Sequence, residues 1–166
     1  AIHYMEEEFD IGDVVSVFTT PISAQDTGLS VFWRCLDGGV VLFERVVDDL
    51  VAGRDLSRIP QDRARRHAYK SADVGDGRID WSMPAQAVCD FIRAANFLPF
   101  QSPSYTPWFT DALGERVDVF KAVLSEGSSA PARIVCGDGQ AVEIVTARKN
   151  GVQVPPSDVQ FLEKAS

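Results

Sequence analysis

Apolar side chains recur with two different periods along this chain, and the change of period divides it in two. Over residues 29–51 they recur every three or four positions, which is the spacing of one face of a helix. Residues 85–95 repeat that spacing after a proline. From Trp108 onward apolar and polar residues alternate, as they do in half-buried strands. The pattern predicts an α/β region over residues 1–100 and a small β-barrel or sandwich over residues 103–166.

The α/β region begins with two short predicted strands, residues 2–5 and 14–18, which are joined by an acidic loop. The long helical stretch that follows contains a Gly38-Gly39 pair. Two glycines inside a helix cost about 1 kcal/mol each relative to alanine. We therefore expect either two helices or one kinked helix, joined at the glycines. Gly53 supplies a C-terminal stop for this stretch.

Turn residues mark the connections between the predicted elements. Residues 54–78 carry few apolar side chains and predict a long exposed connection, whereas residues 96–107 carry three prolines and predict a loop. In the β-rich part, the turn sequences at residues 137–139 and 150–151 predict two hairpins. A short final helix is expected over residues 159–164.

Composition and charge limit the classes of protein to consider. Of the 166 residues, 45% are hydrophobic and 24% are charged, which is ordinary for a soluble globular protein. No run approaches the roughly 20 apolar residues of a membrane span, and the acidic start lacks the basic region of a signal peptide. The net charge is −8, with a basic cluster over residues 54–70. We favour a solvated linker for this cluster, because one short basic stretch is a weak basis for nucleic-acid binding.

Neither the cysteines nor the histidines have the spacing of a metal site. Cys35, Cys89 and Cys136 lie far apart without a C-x-x-C pair. We therefore expect buried, reduced thiols in a cytoplasmic protein, with no disulfide framework and no zinc. His3 and His67 have no second ligand at metal-binding spacing, so we expect no bound metal. His3 is expected to face a neighbouring strand.

The acidic loop over residues 6–13 is the first candidate for chemistry. A carboxylate on a glycine-containing loop after a strand lies where open α/β sheets bind their ligands. Acidic loops are also commonly solvated turns, so the spacing alone leaves both interpretations open. No nucleophile elbow and no P-loop occurs in the sequence. Composition and spacing thus predict an architecture but no reaction.

Three separated segments resemble one family, the folate-dependent formyltransferases of the methionyl-tRNA formyltransferase superfamily. The first segment reads IHYMEEEFDIGDVVSVFTTPISAQDTG, where the family has I-H-x-M-D, F-D-T-G-D, P-I and D-T-G. Glu6 stands for the usual Asp, and Ile11 for the usual Thr. The second, DGRIDWSMPAQAVCDFIRA, resembles the family's D-G-x-I-D-W segment and the helix after it. The third, from GERVDVF onward, resembles the family's β-rich C-terminal domain.

The resemblance implies the C-terminal half of a Rossmann-like domain followed by a small β-rich, OB-like domain. It also implies that a formyl group passes from 10-formyltetrahydrofolate to an amine, with an Asn, a His and an Asp as the catalytic set. Asp10 matches that Asp, which orients the His and stabilises its charged form. The loop that matches the family's pterin-binding segment contains Met5, Glu6, Glu7, Glu8, Phe9, Gly12 and Asp13.

The rest of the family's catalytic set has no counterpart in this sequence. Its Asn and His belong to an N-x-H motif well before that Asp, and neither Asn96 nor Asn150 precedes a His by two positions. We therefore expect an incomplete portion of a formyltransferase that needs a missing N-terminal half and is inactive alone.

Charge also bears on the acceptor. Residues 101–166 hold six basic and eight acidic residues, which argues against tRNA and for a small-molecule or carrier-bound amine such as a sugar nucleotide. The proline-rich loop at residues 96–107 is either a domain connection or a wall of the acceptor site. Two other hypotheses stay open: a methionyl-tRNA formyltransferase, and a non-catalytic binding module that kept a formyltransferase-derived fold.

Overall fold

The computed structural model describes residues 1–68, 73, 75–126 and 132–159. They fall into two compact units, one within residues 1–25 and 30–69 and the other within residues 26–29 and 70–166. The predicted domain limits, residues 1–100 and 103–166, stay a prediction, because units defined by packing need not coincide with family domains.

The elements follow the predicted order of an α/β region before a β-rich one. The first unit contains two strands, most of a long helix and a 3-10 turn: β1 (Ile2–His3), β2 (Val14–Ser16), α1 (Gly28–Val51) and Arg63–Arg65. The described residues of the second unit include one α-helix, five strands and a 3-10 turn near the C-terminal end: α2 (Ala85–Ala94), β3 (Trp108–Thr110), β4 (Arg116–Leu124), β5 (Arg133–Val135), β6 (Ala141–Lys149), β7 (Val152–Val154) and Pro156–Asp158.

In the first unit, β1 and β2 form a short antiparallel pair. Val14 of β2 also exchanges two backbone hydrogen bonds with Ile59, at 2.8 and 3.0 Å. The described residues of the predicted connection after α1 are mostly exposed, as expected, but Ile59 in this connection pairs with β2. This pairing brings the basic stretch of the chain to the acidic loop between β1 and β2.

Helix α1 runs without interruption through Gly38 and Gly39, so of the two expected alternatives the pair of separate helices is wrong and a single helix is observed. The reason is packing: a Cβ on Gly38 would lie 2.2 Å from the ring of Phe18. Gly38 is buried where the partly exposed ring of Phe18 contacts the helix, and this contact offsets the conformational cost of glycine. The predicted stop is confirmed, because Gly53 follows the helix with a φ of +66°.

One long face of α1 is apolar and uncovered. The large apolar residues of α1 that are exposed to solvent are Phe32, Trp33, Leu36, Val40, Val41, Phe43, Val47, Leu50 and Val51. At 100° per residue, all of these except Val41 fall within one arc of roughly 100°. Leu42 is the one buried apolar side chain of the first unit in the part of the chain that the structure describes.

The second unit is built on a five-stranded antiparallel sheet, which confirms the β-rich prediction. β4 and β6 form its centre, β3 pairs with β4, and both β5 and β7 pair with β6. The β4–β6 register runs from Asp118 opposite Arg148 to Leu124 opposite Val142. The predicted hairpin turns are present between β5 and β6 and between β6 and β7.

Helix α2 packs on this sheet and closes the core of the second unit. Its buried residues are Ala85, Val88, Cys89 and Ile92. They pack with buried strand residues that include Val117, Val119, Val142 and Ile144. Fully burying one such Val or Ile stabilises a fold by about 1.5–3 kcal/mol. The carboxylate of Asp138 caps the helix by accepting a hydrogen bond from the Ala85 backbone N–H at 3.1 Å.

A buried ion pair fixes the turn between β3 and β4. The carboxylate of Asp111 is inaccessible to solvent, pairs with Lys149 and accepts hydrogen bonds from the backbone N–H groups of Leu113 and Glu115. Burial raises the pKa of Asp111, but the Lys149 and backbone hydrogen bonds outweigh it and leave this pKa below its usual value. Asp111 is therefore a structural carboxylate.

The remaining predictions have mixed outcomes. Cys89 and Cys136 are buried thiols, as expected, and burial raises the pKa of Cys89 to about 11. Cys35 is exposed on α1, so the prediction of a buried thiol is wrong for this residue. No helix in the described ranges is long and apolar enough to cross a bilayer. The final helix predicted over residues 159–164 lies, apart from Val159, outside the described residues.

Candidate functional site

The candidate site is centred on Asp10, in the loop between β1 and β2. Asp10 has a φ of +58°, a left-handed conformation that is uncommon outside glycine and that costs on the order of 1–3 kcal/mol. The loop is tight, since a Cβ on Gly12 would lie 1.9 Å from the carbonyl oxygen of Tyr4. Tyr4 N–H closes it by donating to the Asp13 carbonyl oxygen at 3.0 Å. The side chain of Asp10 is 86% exposed.

His3 is a titratable neighbour of Asp10. Its Nε2 lies 3.6 Å from Oδ1 of Asp10, and its Nδ1 lies 2.9 Å from the Tyr4 carbonyl oxygen. When Nδ1 carries the proton, it donates a hydrogen bond to this carbonyl oxygen. Nε2 then carries a proton towards Asp10 only when the ring is a charged imidazolium, which is the form that makes an ion pair. The expectation that His3 faces a strand neighbour missed this contact with the loop.

Gln61 holds the backbone of the Asp10 loop from outside. Its side-chain Nε2 donates to the Gly12 carbonyl oxygen at 2.6 Å and to the Asp10 carbonyl oxygen at 3.2 Å. One of these acceptors belongs to the peptide unit that follows Asp10, and the other lies two residues further along the same loop. Gln61 is therefore a positioning residue for the strained conformation of Asp10.

Arginines of the basic stretch pair with the acidic loop. Arg66 Nη1 contacts Glu8 Oε1 at 2.5 Å, and its Nη2 donates to the Phe9 carbonyl oxygen at 3.3 Å. Arg58 lies 3.6 Å from the ring centroid of Tyr4 and 3.7 Å from the carboxylate of Asp13. The basic stretch thus contacts the acidic loop through two arginines, and the carboxylates of the loop neutralise part of the positive charge of this stretch.

Sequence reasoning missed Gln61, Arg58 and Arg66 as partners of this loop. They lie about fifty residues away along the chain and belong to no periodic pattern. The one available signal was electrostatic, since an acidic loop and a basic stretch in the same unit attract each other. That attraction also explains why the stretch is not a free linker.

The other loop residues named from the sequence are mostly open to solvent. Met5 is 94% and Phe9 is 86% exposed, and Glu6 and Glu7 are exposed as well. Two large apolar side chains beside a strained carboxylate offer a surface on which a flat aromatic ring can stack. The loop therefore has the composition of a ligand-contacting segment.

A cavity of about 700 Å³ opens beside Asp10 within the first unit. Besides Asp10 and Gln61, its lining includes Arg63, Arg65 and Arg66. Among the described residues, no group of three or more His, Cys, Asp and Glu side chains could hold a metal ion. The chemistry on offer here is therefore that of a carboxylate and several guanidinium groups.

A second cavity, of about 280 Å³, lies within the second unit along the proline-rich loop. Its lining includes Phe97, Phe100, Phe120 and Arg148, and Arg148 lies 4.7 Å from the ring centroid of Phe120. The loop has no helix or strand over residues 96–107, as predicted. An aromatic lining with one cation suits a partly apolar ligand.

Comparison with known proteins identifies the family of the chain. Residues 73–164 match the family described as formyl transferase, C-terminal domain. A methionyl-tRNA formyltransferase of Marinobacter nauticus is 31% identical over 97% of this chain and 51% of its own length. One from Pseudomonas fluorescens is 33% identical over 79% of this chain and 39% of its own length. The chain thus spans about half the length, or less, of these relatives.

Solved structures share the fold at lower identity. A 4-N formyltransferase from Francisella tularensis has a TM-score of 0.59 at 23% identity, over 70% of this chain and 47% of its own. An N-formyltransferase from Helicobacter canadensis, solved with folinic acid and dTDP-3-aminofucose, has a TM-score of 0.64 and covers 89% of this chain and 54% of its own. Since the C-terminal domain match covers more than half of the chain and the fold agrees, the chain belongs to the formyltransferase family and represents its C-terminal portion.

Proposed function

We propose that this chain is the C-terminal portion of a folate-dependent N-formyltransferase, which transfers the formyl group of 10-formyltetrahydrofolate to an amine. The observation that carries the proposal is the strained Asp10 at the tip of a loop with the family's F-D-x-G sequence. Strained backbone at an exposed carboxylate is characteristic of functional sites. The family membership of the chain supplies the class of reaction.

Asp10 is assigned the role of an orienting carboxylate. It holds a catalytic His in the required tautomer and stabilises the positive charge that this His gains when it takes a proton from the attacking amine. His3, which contacts Asp10, lies on the strand that leads into this loop and is not part of an N-x-H motif. The catalytic His is therefore expected from an N-x-H motif in another segment.

The loop from Met5 to Asp13 is assigned to the folate. Its exposed Met5 and Phe9 side chains fit an aromatic pterin, which would be bound by stacking and by the loop's backbone groups. Folinic acid is present in the Helicobacter canadensis enzyme, which shares this fold. The formyl group is supplied by the bound folate, and no metal is proposed.

The N-terminal half is proposed to cover the apolar face of α1. The chain spans about half of its relatives' length, and eight large apolar side chains of α1 form one exposed stripe. A stripe of this size on a single helix is rare on a free surface and common where a helix packs on a sheet. We propose that the remaining strands of a Rossmann-like domain pack there, with the domain limits near residues 100 and 103.

The acceptor is proposed to be the amine of a small or carrier-bound molecule. The net charge of −8 and the pairing of Arg58 and Arg66 with the acidic loop leave little free positive charge for a polynucleotide. The aromatic cavity of the second unit is a candidate wall for such an acceptor. A cytoplasmic location is proposed with it, because three cysteines outside any disulfide suit a reducing compartment.

The second candidate function is methionyl-tRNA formylation. It is favoured by the Marinobacter nauticus relative, whose match extends over 97% of this chain. A third, a non-catalytic binding module, requires that the protein lacks the N-x-H motif. The coding sequence upstream of Ala1 separates these cases, since an N-x-H motif there supports an enzyme and its absence supports a module.

The experiment that tests the proposed function uses the full-length polypeptide with Asp10→Asn. Turnover of 10-formyltetrahydrofolate is measured with dTDP-linked amino sugars and with initiator methionyl-tRNA as acceptors. We expect a fall of about two or more orders of magnitude, the size seen when an orienting carboxylate is lost. The matched control is Asp48→Asn, the same change on an exposed face of α1. Retention of more than half of the wild-type turnover by Asp10→Asn would contradict the assignment.

A further inference from the structure

Two arginines, Arg63 and Arg65, line the cavity beside Asp10. Neither side chain forms an ion pair with any residue that the structure describes. We propose that they bind an anionic group of a substrate: either a phosphate of the acceptor or a glutamate carboxylate of the folate. This inference rests on the proposed function and names the chemistry of one of its substrates.

The pairing of the cavity's charged groups supports an anion. Arg66 is paired with Glu8, so it serves the loop rather than a ligand. The lining also carries the carboxylates of Asp10 and Asp62, and neither is ion-paired with Arg63 or Arg65. The guanidinium groups of Arg63 and Arg65 are therefore available to an anionic ligand.

The backbone keeps these arginines at a fixed place. They are the first and last residues of a 3-10 turn, which Asp62 caps. Gln61, the preceding residue, is hydrogen-bonded to the carbonyl oxygens of Asp10 and Gly12. The turn is therefore tied directly to the loop that carries the carboxylate. An anion held at the turn would lie next to the reacting region.

Arginine chemistry and the size of the cavity limit the ligand. Guanidinium groups match phosphates and carboxylates through paired N–H donors. A volume of about 700 Å³ lies within the range of small-molecule sites and is large for a single anion. The anion is thus one end of a larger substrate. The acceptor's phosphate and the folate tail share this chemistry, and binding measurements separate them.

The test uses the full-length polypeptide and calorimetric titration, so it needs no turnover. The probes are inorganic pyrophosphate for the acceptor's phosphate, and folinic acid with one or with three glutamates for the folate tail. The variant is the double change Arg63→Gln and Arg65→Gln. The matched control, Arg45→Gln with Arg133→Gln, removes the same charge from exposed positions outside the cavity. Circular dichroism spectra verify that both variants are folded.

We expect the Arg63→Gln, Arg65→Gln variant to lose at least tenfold in affinity for one probe, while the control loses less than twofold. A loss for pyrophosphate alone assigns the site to the acceptor, and a loss of the preference for three glutamates assigns it to the folate. Equal affinities in the variant and the wild type, equal losses in variant and control, or no binding of any probe by the wild type would overturn the proposal. Anion binding without formyl transfer would contradict the proposed function alone.

Discussion

Replacing Gln61 by Leu is expected to lower turnover by releasing the loop that carries Asp10. The variant removes two hydrogen bonds, at 2.6 and 3.2 Å, and leaves the side-chain volume nearly unchanged. Each such bond stabilises a structure by about 0.5–1.5 kcal/mol, so roughly 1–3 kcal/mol of restraint is lost. The left-handed conformation of Asp10 costs about as much, on the order of 1–3 kcal/mol. Loss of Gln61 therefore removes restraint of about the size of that cost, although the Tyr4–Asp13 hydrogen bond still closes the loop.

The expected result is a 10- to 100-fold loss of kcat, because about 1.4 kcal/mol corresponds to a factor of ten in rate. The KM for 10-formyltetrahydrofolate should change less than kcat, since Gln61 acts on the carboxylate through the backbone. Gln61→Glu should behave like Gln61→Leu, because a carboxylate has no N–H to donate. The control is Gln153→Leu, on an exposed strand far along the chain. A kcat within twofold of wild type for Gln61→Leu would refute the positioning role.

Three further predictions follow from the same structure. Asp111→Asn should destabilise the second unit by about 1–3 kcal/mol in urea unfolding, because Lys149 loses its buried counter-charge and keeps only the exposed Glu115. Since the pKa of Asp111 is lowered on folding, its contribution is fully present above the pKa of the unfolded chain, near 4, and is lost as the pH falls through the lowered folded pKa; a cost of the substitution that does not shrink as the pH is lowered from 7 would contradict this. Phe43→Ala should lower the free energy of unfolding by about 3–5 kcal/mol in the full-length protein. In the 166-residue chain, where Phe43 is exposed, the same change should lower it by under about 0.5 kcal/mol. A small loss in both proteins would contradict the proposal that the N-terminal half covers this face of α1. A salt titration should show only non-specific binding of initiator tRNA, and a submicromolar affinity at about 0.15 M salt would favour the tRNA acceptor.

The sequence predicted those parts of the fold that local rules determine. Periodicity placed α2 and the strands, and the turn residues Asn150 and Gly151 placed a hairpin, because these signals lie within a few residues of the elements they specify. Gly38 shows where such rules end. The cost of a glycine is local, but the ring of Phe18 that offsets it comes from another element.

The candidate site was only partly predictable for the same physical reason. Asp10 was identified by a resemblance of the loop to its family, and its left-handed backbone is consistent with a functional role. The contacts of Gln61 and Arg66 with that loop depend on the pairing of Ile59 with Val14. No periodic pattern in the sequence predicts this pairing. Long-range side-chain contacts of this kind follow from the folded structure rather than from local sequence.

The central claim is that this chain supplies Asp10 to a formyltransferase whose other catalytic groups come from an N-terminal half. The most direct test compares the 166-residue chain with the full-length polypeptide for transfer of the formyl group of 10-formyltetrahydrofolate to amine acceptors. We predict no turnover above a heat-inactivated control for the chain alone, and turnover that depends on Asp10 for the full-length polypeptide. Turnover by the chain alone, or a full-length polypeptide with an N-x-H motif that neither binds folinic acid nor transfers formyl, would contradict the account.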